Sequence, residues 1–92
     1  MKIYLFEGKA NMCGENVKKY RVALKLSQSD LAARLQTMDV LIEQKAISRI
    51  EVGDRVVADY ELVALSKALG VSIYDLLGLQ EPSAKQHHIK QK

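Results

Sequence analysis

The sequence has few aromatic residues, no tryptophan, one cysteine and one proline. Aromatic residues make 5% of the chain against a hydrophobic fraction of 48%, so any core must be aliphatic. The lone Cys13 excludes an internal disulfide. It stands beside Gly14 at the expected entry to a helix. A lowered thiol pKa is one reading there, and a small apolar packing residue is the preferred one. No apolar run approaches the roughly 18 residues of a membrane span. The opening MKIYLFEGKAN has too short an apolar run for a secretory signal, so a cytoplasmic location is expected. The sequence contains no glycine-rich phosphate loop and no nucleophile–base pair, and its 92 residues leave little room for a substrate cleft. No enzyme is expected. His87 and His88 have no Cys or acidic partner at zinc spacing, so neither a metal nor a cofactor is expected.

An excess of one charge is also lacking where it would matter. The formal net charge is +3, but residues 15–78 carry equal numbers of basic and acidic side chains, and the excess lies in the two ends. Within that segment residues 15–49 are net basic and residues 50–78 net acidic. A basic half and an acidic half suit a molecule that turns one face to phosphate and the other away.

What is present is helical periodicity with start and stop signals. The spacing predicts helices over about 14–25, 28–36, 44–52, from Asp59 to about 69, and 73–77, with no convincing strand. Val17, Tyr20, Val22 and Leu24 give the first a mixed apolar face. Ser27 and Asp30 form a capping box for the second, and Leu31, Ala32 and Leu35 form its core stripe. Residues 37–43 lack a stripe and read as a turn with Val40 or Ile42 buried. Ala46, Ile47 and Ile50 point the third helix inward, and Gly53 ends it in the left-handed conformation. Asp59 is the expected N-cap of the fourth, and Ser72 and Asp75 cap the fifth. The division is a leader, 1–13, a helical domain, 14–78, and a flexible tail, 79–92. Ile3 to Phe6 has strand-like composition, and the leader is either a tail or an arm that pairs across a dimer.

Ser27-Gln28-x-x-Leu31-Ala32, then Ile47-Ser48-Arg49-Ile50-Glu51-x-Gly53, then Leu65-Ser66-Lys67-Ala68-Leu69-Gly70-Val71-Ser72 resembles the Xre family, the lambda-repressor-like, Cro-type helix-turn-helix proteins. The resemblance covers about 14–78. It implies an all-α, five-helix DNA-binding domain that sits as a dimer on a two-fold operator. Gln28 would touch a phosphate and brace the recognition helix. Gln44, Lys45 and Arg49 would reach base edges, with Ser48 on a phosphate or a base. Arg21 and Glu51 would form a partly buried, structural salt bridge. Arg55, just past the third helix, is a candidate phosphate contact. Two departures stand out. The turn between helices 2 and 3 is longer than the family's by about five residues, and Glu43 replaces the usual Ser or Thr cap of helix 3.

The expected function is a sequence-specific transcriptional regulator of repressor type that reads the major groove of double-stranded DNA with helix 3. A homodimer is expected through helix 5 and the leader or tail, with Leu76 and Leu79 as candidate contacts. The alternative is an antitoxin-type module that binds a toxin partner and its own operator. A partner that co-elutes on purification would favour it.

Overall fold

Two of the helices begin where a serine and an aspartate lie three residues apart, and both boxes close. In the computed structural model, which describes residues 5–82, Ser27 Oγ accepts from Asp30 N at 2.9 Å, and Asp30 Oδ2 accepts from Ser27 N at 2.9 Å. Ser72 and Asp75 repeat this at 2.9 and 3.0 Å. Each box satisfies two backbone donors that a helix start leaves open. The described residues form five helices: α1 (Gly14–Ala23), α2 (Gln28–Gln36), α3 (Gln44–Glu51), α4 (Asp59–Leu69) and α5 (Ile73–Leu77).

Two helix boundaries differ from the sequence reading. The N-cap of α4 is Ala58, not Asp59. An alanine side chain cannot accept, and only half of a capping box remains, with the Glu61 carboxylate taking the Ala58 N–H at 3.0 Å. Helix α1 stops at Ala23 because Lys25 turns left-handed, at φ +59°. Leu24 falls at the C-cap, and Val22 lies on the face of α1 away from buried Val17, so both are outside the core, 45% and 55% exposed.

The core is aliphatic, as the shortage of aromatics requires. Val17, Leu31, Leu35, Ile42, Ile47, Ile50, Leu65 and Leu76 are fully buried. Helix α3 packs against α1 and α2, while α4 closes the other side against α1, α2 and α5. Ile47 and Ile50 hold one face of α3 in the core, which leaves its opposite face to solvent. The long turn before α3 does not detach it. Asp39 adopts φ +61°, Val40 N donates to Leu35 O at 3.1 Å, and buried Ile42 anchors the return.

The leader is built into this unit as far as it is described. Phe6 and Lys9 exchange backbone hydrogen bonds across Glu7 and Gly8, both at positive φ, which makes a tight two-residue hairpin turn. Ala10 N then donates to Gly53 O at 2.9 Å. Asn11 Nδ2 donates to Ile50 O and Arg55 O at 3.1 and 2.8 Å, and its Oδ1 accepts from Gly14 N at 2.8 Å. Residues 9–13, the latter part of the leader, thus hold the end of α3 to the start of α1. Ile3 and Tyr4 lie outside the described residues, as do His87 and His88.

Candidate nucleic-acid interface

Helix α3 is fixed from behind by a run of polar contacts that crosses three helices. Arg21 on α1 meets the Glu51 carboxylate with two prongs, Nε to Oε2 at 2.7 Å and Nη2 to Oε1 at 3.0 Å. Its Nη1 donates to Leu26 O at 2.8 Å. Gln28 at the start of α2 donates its amide N–H to the same Glu51 Oε1 at 3.0 Å. The Gln28 carbonyl in turn accepts from Gln44 Nε2 at 2.7 Å. The Glu51 side chain is only 3% exposed. A charge buried that deeply is tolerable because three donors satisfy it. Burial and hydrogen bonding together make the angle of α3 against α1 and α2 hard to change.

The outward face of α3 carries the side chains singled out from sequence. Gln44, Lys45 and Arg49 are exposed, and Ser48 is half-buried. Leu41, Glu43, Lys45, Ala46 and Arg49 line one shallow groove along it. Glu43 occupies the N-cap without a side-chain cap bond, so its carboxylate stands exposed at the start of the helix. Lys18, Lys19 and Lys25 are exposed on and after α1, with Lys19 Nζ 5.3 Å from the Tyr20 ring centre.

Arg55, the candidate phosphate contact, is half-buried and already paired within the fold. Its Nη1 and Nη2 each meet a Glu61 carboxylate oxygen at 3.0 Å, and Nη1 also donates to Val56 O at 3.0 Å. The guanidinium is engaged in pinning the α3–α4 loop to α4. The hydrogen bond from Arg55, with the Ala58 N–H, holds the Glu61 carboxyl below its ordinary pKa despite partial burial. Cys13 is 2% exposed, and burial pushes its thiol pKa up, against the lowered value considered from sequence.

Sequence reasoning missed two residues at this surface, Asn11 and Asp54. Asn11 lies two residues before the N-cap of α1, Cys13, outside the position where a cap would be sought. Asp54 had no signal, because its partner is reached only after the chain turns at Gly53.

The family model described as helix-turn-helix matches residues 17–76. No curated protein matches the chain. Among solved structures, the crystal structure of a hypothetical transcription factor, NHTF, from Neisseria superposes with a TM-score of 0.62 at 21% identity. The match covers 96% of this chain and 99% of that one, and at this identity it speaks for the fold alone. A match over residues 17–76, together with five helices in this order, places the chain in the Xre-like helix-turn-helix family of DNA-binding regulators.

Proposed function

We propose that the protein is a sequence-specific repressor that lays α3 in the major groove of operator DNA. The observation that carries this reading is the outward face of α3. It presents Gln44, Lys45, Ser48 and Arg49 while Glu51, on the same helix, is held by Arg21 and Gln28. A short helix with polar, fork-shaped donors on a rigid support is what direct readout of base edges requires. Gln28 and Gln44 act as a unit, since one amide orients the other, and Gln28 adds a phosphate contact.

The protein works as a homodimer in the cytoplasm, without a cofactor, because one monomer offers few base contacts. Leu79, 53% exposed, is retained as a dimer contact. Leu76 is not, because it is fully buried in its own core. No helix among the described residues is long and apolar enough to cross a membrane.

The test is selection from a random duplex library at a stated salt concentration, followed by binding of Arg49→Ala to the enriched site. The reading expects an enriched two-fold motif and a loss of at least about tenfold in discrimination at one base pair. No enriched motif, with Arg49→Ala indistinguishable from the parent, would sink it. Salt sensitivity alone decides nothing, since any cationic tail produces it.

A further inference from the structure

The Arg49 side chain is 59% exposed, yet it is held along one edge. Gly53, at φ +83°, turns the chain back over the end of α3 and brings Asp54 alongside Arg49. Asp54 N donates to Arg49 O at 2.8 Å, and Asp54 O accepts from Arg49 Nη2 at 3.0 Å. Asp54 Oδ2 lies 3.5 Å from Arg49 Nε. Both side-chain contacts fall on the Nε–Nη2 edge of the guanidinium.

The chemistry of that fork matters. A guanidinium has five N–H donors in one plane. Asp54 engages the side edge, and among the described residues no hydrogen bond uses Nη1. The end edge, with one N–H from each of Nη1 and Nη2, is therefore left with two parallel donors on a side chain that is mostly exposed. Guanine presents O6 and N7 side by side in the major groove and takes that pair of donors. Asp54 is itself held. Asn11 fixes Arg55 O, and Arg55 fixes Glu61, so the loop that carries Asp54 is tied on both sides. An ion pair this exposed contributes little to folding stability. Its effect is to remove rotamer freedom that Arg49 would otherwise lose on binding.

We propose that Asp54 is a positioning residue that aims Arg49 at a guanine and thereby sets specificity at that base pair. The inference rests on the reading of Arg49 as a base-contacting residue.

The experiment uses the full chain with Asp54→Ala, Asp54→Asn and Arg49→Ala. Affinity is measured at one salt concentration for the selected site and for the same site with the Arg49-dependent guanine replaced, and urea unfolding is recorded for each protein. Asp54→Ala should lower discrimination at that guanine about five- to tenfold, leave the other positions unchanged and unfold like the parent. Both Asp54 variants keep the backbone carbonyl contact and lose the Oδ2 charge, and Asp54→Asn alone keeps a neutral side-chain acceptor, so it should fall between. Should Asp54→Ala unfold, Asp54→Asn carries the comparison. Intact discrimination in the folded Asp54 variants overturns the proposal. So does tighter binding with unchanged preference, which would make Asp54 a competitor of DNA for Arg49. If Arg49→Ala itself leaves the preference unchanged, the reading of Arg49 fails first and the proposal falls with it.

Discussion

Glu51 is a carboxylate with almost no contact with water, and Arg21 and Gln28 meet it with three hydrogen bonds. Removing it leaves the Arg21 guanidinium, itself 11% exposed, without its counter-charge. Glu51→Ala should therefore destabilise the domain by about 3–5 kcal/mol. Urea unfolding checks this, and a variant that unfolds like the parent would contradict the bracing role. Cys13 gives a second expectation at this scale. With its thiol buried and its pKa raised, it should resist a thiol reagent in native buffer and react promptly in denaturant. Fast native labelling would mean that the hairpin and Asn11 do not hold residues 9–13 down. The Arg21–Glu51 pair and the bracing of α3 by Gln28 were legible in the sequence because they follow a motif. Asn11 and Asp54 were not read because their contacts reach across the fold: Asn11 donates to the backbone carbonyls of Ile50 and Arg55, and Asp54 meets the Arg49 guanidinium only after the chain turns at Gly53.

Helix α1 is defined by conflicts at its two ends. At its start, Gly14 lies so close to α3 that a Cβ would overlap the Ile50 carbonyl oxygen. Gly14→Ala should cost about 1–3 kcal/mol through overpacking, although alanine favours helix elsewhere. After its end, Lys25 sits in the left-handed region at φ +59°, where an L side chain is strained. Lys25→Gly should stabilise the protein by about 1 kcal/mol, or about 4–8 °C in Tm for a domain of this size. Thermal unfolding of the two variants tests both, and the expected shifts are opposite in sign. The same positions explain what could be read at the element scale. Caps and stripes placed α2, α3 and α5 to within a residue, because their signals are local. The early stop of α1 was hidden because nothing at Val22 or Leu24 marks the left-handed turn. The Ala58 cap was hidden because Glu61 supplies it from within the helix.

Across the whole molecule, carboxylates hold the ends and loops together, and that makes stability depend on pH in one direction. Glu61 is held below its ordinary pKa of 4.5 chiefly by the hydrogen bond from Arg55. Asp30 is lowered by the Ser27 backbone N–H, and Glu15 by Lys9. In each case the unfolded chain takes up a proton at a higher pH than the folded one. Below the unfolded value the unfolded state binds more protons, so acid favours unfolding. The stabilisation these groups give is complete above about pH 5 and is lost as the pH falls through their folded values. Urea unfolding from pH 7 down to pH 3 should show a falling midpoint with its steepest loss below about pH 4.5. Glu61→Gln should start lower at pH 7 and fall less, because one of the titrating groups is gone. The same loss of carboxylate charge removes the acidic balance of residues 50–78 and leaves the basic residues of 15–49 unopposed. Self-repulsion then adds to the loss, so added salt should recover part of the midpoint at pH 3.5 in parent and variant alike. A midpoint that is flat, or that rises towards acid, would mean that the Arg55–Glu61 tie does not hold the α3–α4 loop.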